Sequence, residues 1–211
     1  MVILCLGMVF NVPMRIPRRA GLFVVLWLQV GQAMAQHSLE MRGSNAKYRY
    51  LDWSYTFSNA ALIDVVYVGV PGSNEFNLGG GYGFNPVPSL TITPLVYAVI
   101  GKEEGQRGVA VAVMVSLDKS GWRLNAFLGH YLAISGDITN YLALDTFDFS
   151  KVLLGRWEVG LANGFLHADN QWNPQIGPLL KLNDRLGYWS VSYRFGPHPE
   201  LQFSRVLTFK K

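Results

Sequence analysis

Cysteine is nearly absent from this 211-residue sequence, and the single one, Cys5, lies in an N-terminal stretch that we expect to be removed. This excludes a disulfide framework and a cysteine-ligated metal site from the mature protein. Charge is scarce too, since 15% of the residues are charged and average soluble domains carry about 25%. Long apolar runs are also missing after the N-terminal stretch, and a transmembrane helix needs about 20 apolar residues.

Basic charge is low in the main part of the chain, although the formal net charge is +4. Three arginines, Arg15, Arg18 and Arg19, lie in the N-terminal stretch, which contains no acidic residue. Without them, 15 basic residues face 14 acidic ones. We therefore predict no nucleic-acid partner.

The N-terminal stretch has the three parts of a secretory signal peptide in the required order. Residues 14–19 are basic, residues 22–28 are apolar, and residues 33–35 (Ala-Met-Ala) form a small-residue cleavage site. We predict cleavage before Gln36. An uncleaved anchor is the alternative, but the apolar segment is shorter than the roughly 20 residues of a span.

The predicted domains follow from this cleavage site. Residues 1–35 form the signal peptide, and residues 36–211 form a single domain. A second apolar run precedes the basic segment, which a translation start at Met14 would explain. Residues 1–13 would then be a mis-called extension.

What the sequence has in quantity is apolar and small residues in alternation, with 22 glycines and 13% aromatics. Val109, Val111, Val113 and Val115 alternate with alanine, methionine and serine, for example, and five further segments show the same period of two. Such a period indicates β-strands with two different faces. Turn residues such as Asp118-Lys-Ser-Gly121 separate the segments. The pattern predicts about 10–12 antiparallel strands.

The composition of the two strand faces favours a membrane protein. One face is bulky and apolar, and the other is rich in glycine, serine and threonine rather than in lysine and glutamate. Small polar side chains suit the interior of a narrow barrel, and lipid requires the sheet to close. We therefore predict a closed antiparallel up-and-down transmembrane β-barrel in the bacterial outer membrane. Its interfacial aromatic girdles would include Tyr48, Tyr50, Trp122, Tyr131, Trp172, Tyr188 and Trp189.

The last strand carries a resemblance to a known class. Residues 201–209 (Leu-Gln-Phe-Ser-Arg-Val-Leu-Thr-Phe) are similar to the aromatic-ended closing strand of small bacterial outer-membrane β-barrel proteins. The resemblance implies contact with outer-membrane lipid and with the barrel-assembly machinery, which reads a strand ending here at Phe209. Two departures stand out: two lysines follow Phe209, and Arg205 falls on the apolar face. Arg205 either reaches an interface or indicates a different register.

Five charged residues are predicted to face the barrel interior together: Asp64, Arg123, Arg156, Glu158 and Arg194. They could form a constriction that selects solutes. A self-paired network that fills the lumen is the favoured interpretation, because acids and bases are mixed and burial requires pairing.

Two polar segments contain residue types that occur in catalytic or metal sites, but a structural interpretation is favoured for both. His130, Ser135, Asp137 and Asn140 contain the residue types of a lipid hydrolase, but His130 shares a face with apolar residues. His167 to Asn170 offers possible metal ligands, but its spacing matches no defined site. We predict no catalytic, cofactor-binding or metal-binding residue, and no enzyme activity.

Four functions remain open from the sequence. The first is a structural or surface-interaction role in the outer membrane. The alternatives are a small solute pore, a lipid-modifying enzyme, and a soluble periplasmic ligand-binding barrel. The last would invert the faces and make Trp53, Phe57, Phe84 and Trp157 cavity residues.

Overall fold

The computed structural model describes residues 36–101, 106–136 and 140–210. The predicted signal peptide and its cleavage site therefore lie outside the described residues. No helix long and apolar enough to cross a membrane occurs within the described ranges. The strands are β1 (Gln36–Ser44), β2 (Arg49–Thr56), β3 (Ala61–Val70), β4 (Ser73–Tyr82), β5 (Phe84–Val87), β6 (Leu90–Gly101), β7 (Arg107–Lys119), β8 (Trp122–Ser135), β9 (Tyr141–Leu154), β10 (Trp157–Ala168), β11 (Gln171–Asp184), β12 (Gly187–Arg194) and β13 (Glu200–Lys210).

The strands form one antiparallel sheet that closes on itself. Apart from β4 and β5, each strand pairs with the next along the chain. β1 pairs with β13 from Gln36↔Lys210 to Ser44↔Gln202. β4 and β5 both pair with β6, one after the other, so they are two parts of a single barrel strand interrupted at Gly83. The barrel therefore has twelve strands, which confirms the predicted fold class and the upper end of the predicted count.

The two faces of the strands separate as the period of two predicts. In β6, Thr93, Leu95, Tyr97 and Val99 are buried in the lumen, whereas Val96 and Ile100 are more than half exposed on the outer face. Large apolar side chains are exposed on the outside of every long strand, as Leu51, Trp53, Val111, Leu161, Ile176 and Phe203 illustrate. Such a surface is stable only against lipid, because soluble monomers rarely expose contiguous apolar patches above a few hundred Å².

The barrel has two different ends. At the turn end, which holds Gln36 and Lys210, the strands are joined by residues 57–60, 88–89, 120–121, 155–156 and 185–186. At the loop end, the fully described connections are residues 45–48, 71–72, 169–170 and 195–199. Asp169 and Asn170 both have positive φ angles, which is the backbone of a two-residue type I′ hairpin turn. The segment weighed as a polar loop is thus a tight turn, and His167 lies in strand β10.

Glycines admit large aromatic side chains into the lumen. A Cβ on Gly79 would lie 2.3 Å from the ring of Tyr97, its partner across β4 and β6. A Cβ on Gly108 would come equally close to the ring of Tyr131. The missing side chain at each glycine leaves room for the aromatic ring beside the strand.

The predicted aromatic girdles are right for the tryptophans and wrong for all four tyrosines. Trp122, Trp172 and Trp189 are exposed on the outer face near strand ends. Tyr50 and Tyr131 are buried and line the lumen, as does Tyr48. Tyr188 also faces inward, since its ring receives the ammonium group of lumen residue Lys181 at 4.9 Å.

Candidate functional site: the barrel lumen

The half of the lumen nearer the turn end is filled by paired polar side chains. Glu158 on β10 is 1% exposed and accepts hydrogen bonds from Arg123 Nη1, from Ser150 Oγ at 2.8 Å and from Asn183 Nδ2 at 2.6 Å. Lys181 pairs with Asp148 at 3.1 Å. We call these six residues the turn-side network. Its pairing compensates the cost of burying charge.

A second group lies across the lumen on β1 to β3. Arg42 Nε donates to Glu40 at 2.6 Å, and Tyr50 donates to Asp52 at 3.0 Å. The Tyr97 hydroxyl reaches across from β6 and donates to Asp64 at 2.5 Å. These contacts place hydroxyl groups against carboxylates in the lumen.

The structure brings together only some of the five predicted lumen charges. Arg123 and Glu158 form an ion pair, and Asp64 lies on the opposite wall. Arg194 faces the lumen near the loop end, as its neighbours show. Arg156 is misplaced by the prediction, because it lies exposed in the turn between β9 and β10 and not on a strand face. The partner of Glu158 is therefore Arg123.

The half of the lumen nearer the loop end contains a cavity of about 660 Å³. We call it the vestibule. Small side chains on adjacent strands leave this space, among them Ala110, Ala112, Gly129, Ala143 and Gly164. Valine and aromatic side chains complete the walls, and Arg194, Glu75 and Glu200 supply charge. Sequence reasoning missed the vestibule, since it depends on which inward positions of neighbouring strands meet.

The residues weighed for chemistry do not form a site. His130 is exposed on the outer face, as its apolar neighbours predict. The Asn140 side chain accepts a hydrogen bond from the backbone of Ala133 at 2.8 Å, which is a loop contact; Asp137 lies outside the described residues. His167 stacks against Trp172 with ring centroids 4.3 Å apart. Within the described residues, no three histidine, cysteine or acidic side chains form a metal-binding group.

Arg205 does lie on the apolar outer face, and its register is the predicted one. It is 8% exposed because it packs beneath Trp189, 4.8 Å from the ring centroid, and pairs with Asp184 at 2.8 Å. Asp184 ends β11 at the turn end. The arginine therefore reaches an interface rather than the middle of the apolar belt.

The closed barrel with its apolar outer belt defines this chain as a bacterial outer-membrane β-barrel. The interpretation as a soluble barrel is wrong, because Trp53, Phe84 and Trp157 are exposed on the outside and only Phe57 is buried. No family model and no curated protein sequence matches the chain.

Solved structures do match, and three of them are porins by name. A KdgM porin is 11% identical over 82% of this chain and 98% of its own, with a TM-score of 0.55. The same porin in complex with disordered oligogalacturonate gives 10% identity, the same coverage and a TM-score of 0.59. A NanC porin is 10% identical over 83% of this chain and 100% of its own, with a TM-score of 0.58. At these identities the likeness is one of fold.

Proposed function

We propose that this barrel is a narrow pore for small solutes. The observation that carries the proposal is the vestibule, because a barrel with a purely structural role has no need of a 660 Å³ space in its lumen. The porin names of the similar structures support the same choice. A structural or surface-interaction role, which the sequence placed first, has less support. A lipid-modifying activity has no arrangement of the described residues in its favour.

The lumen charges favour cations or neutral solutes over polyanions. Among the described inward side chains, the acids outnumber the bases: Glu40, Asp52, Asp64, Glu75, Asp118, Asp148, Glu158 and Glu200 against Arg42, Arg123, Lys181 and Arg194. Rings of acidic side chains favour cations. We therefore propose that this barrel prefers cations or neutral solutes. The KdgM porin, by contrast, has a structure in complex with oligogalacturonate, which is a polyanion.

Single-channel recording in planar bilayers tests the pore. We expect small, steady conductance steps, and a reversal potential of cation-selective sign under a KCl gradient. Ala112→Trp should reduce the conductance, because this side chain lines the vestibule. Val111→Trp is the matched control, since the neighbouring side chain faces outward. The absence of steps from the folded protein would refute the pore and favour a structural role.

The partners are part of the same proposal. The outer belt would contact outer-membrane lipid, and β13 would be read by the barrel-assembly machinery through the strand end at Phe209. Exposure of Phe203 and Phe209 on the outer face of β13 supports this. A Phe209→Ala variant should accumulate less folded barrel in outer-membrane fractions, and unchanged accumulation would contradict the role of that residue.

A further inference from the structure

Arg194 is a buried cation in the vestibule that has no partner among the described residues. It ends β12, is 6% exposed and lines the cavity. Its Nε is completely buried, and the guanidinium forms no ion pair or hydrogen bond with the described part of the chain. Burying an arginine without a partner is unfavourable, so this group is available for a ligand.

Glu200 provides the opposite charge beside it. Glu200 is the register partner of Arg194 on β13, is 9% exposed and lines the same cavity. No ion pair or hydrogen bond joins its carboxylate to another described residue. The other acid of the vestibule, Glu75, is engaged by the Tyr141 hydroxyl at 2.7 Å. One free cation and one free anion therefore lie on adjacent strands.

Much of the vestibule wall is apolar, although Gln175, His198 and Gln202 add polar groups to the same lining. Val66, Val68, Ala110, Ala112 and Phe127 form much of the wall. The volume of about 660 Å³ lies within the roughly 300–1,000 Å³ of small-molecule sites, which combine apolar walls with a few polar groups.

We infer that the vestibule binds an apolar α-amino acid. Its carboxylate would pair with Arg194, its ammonium group with Glu200, and its side chain would pack on the apolar wall. An α-amino acid carries its ammonium and carboxylate groups on the same carbon atom, which matches two oppositely charged side chains that are register partners. This inference rests on the proposed function only in that a solute must enter the lumen.

Isothermal titration calorimetry of the folded protein with L-phenylalanine tests the site. Three comparison compounds each lack one feature: N-acetyl-L-phenylalanine lacks the ammonium group, L-phenylalaninamide lacks the carboxylate, and glycine lacks the side chain. We expect each to bind at least ~10-fold more weakly than L-phenylalanine, because charge-assisted hydrogen bonds and apolar burial each contribute at about this level. No binding of L-phenylalanine, or equal binding of N-acetyl-L-phenylalanine, overturns the inference.

Two variants locate the site. Arg194→Gln and Glu200→Gln should each weaken L-phenylalanine binding by at least ~10-fold, and Arg156→Gln, which removes an exposed arginine at the other end, should leave it unchanged. Unaltered binding in Arg194→Gln overturns the assignment. If a variant fails the heat-modifiable gel shift of a folded barrel, the compound series in the unmodified protein decides. Binding of L-phenylalanine without conductance would refute the proposed pore and support the amino-acid site. Conductance without binding would support the pore and refute the amino-acid site.

Discussion

Replacing Val113 by arginine tests which face of the barrel meets lipid. Val113 is the seventh of the thirteen residues of β7, so it lies at the centre of the span, and its side chain is on the outer face between Pro94 and Leu128. An arginine on the lipid face costs about 2–4 kcal/mol at the bilayer midplane and about 0–1 kcal/mol near an interface. We therefore expect Val113→Arg to lower the free energy of unfolding by about 2–4 kcal/mol.

Two controls on the same strand separate depth from orientation. Leu117→Arg keeps the outer face but lies two residues from the end of β7, so its cost should fall to about 0–1 kcal/mol. Ala112→Ser changes an inward side chain and should cost little, because the lumen already holds serine and threonine. Denaturant unfolding of protein reconstituted in lipid vesicles measures all three. A tolerated Val113→Arg would show that the faces are reversed, and the membrane assignment would fail with it.

Two further predictions concern the lumen, and the same unfolding measurement checks both. Arg123→Leu should cost about 1–3 kcal/mol, because a buried carboxylate loses its cation, whereas Arg156→Leu in the exposed turn should cost less than ~0.5 kcal/mol; equal effects would contradict the assigned ion pair. Gly79→Ala should cost about 1–3 kcal/mol, because the new Cβ meets the Tyr97 ring at 2.3 Å. Gly43→Ala, whose nearest atom is 3.9 Å away, should be nearly neutral, and a reversed order would refute the packing argument.

The alternation of side chains made the strands and their faces predictable. Within one strand, side chains at alternate positions point to opposite faces, so the parity of the residue number decides the direction of every side chain. His130 was placed outward by its apolar neighbours, and the structure agrees. The same parity would have placed Tyr131 in the lumen, but its aromatic character favoured a girdle. Burial in the structure shows that parity outweighs residue type here.

The candidate site could not be predicted to the same extent, since it depends on contacts between strands. Parity is lost at a turn, and for this reason Arg156 was wrongly grouped with Glu158. The true partner, Arg123, is 35 residues away in sequence. Likewise, Arg194 and Glu200 are neighbours only because of the register between β12 and β13. The alternation cannot determine this register, because sliding one strand by two residues keeps every side chain on the same face.

The seam between β1 and β13 has a kinetic consequence. Every other pairing in the described barrel joins strands that are neighbours in sequence, with β4 and β5 taken as one strand. These hairpins can form as soon as their residues are available, because closing a short loop costs little entropy. The seam has the longest sequence separation in the sheet, so closure is the slow, non-local step. Until then, β1 and β13 each present an unpaired backbone edge that can recruit another chain, so the half-made barrel is the aggregation-prone species.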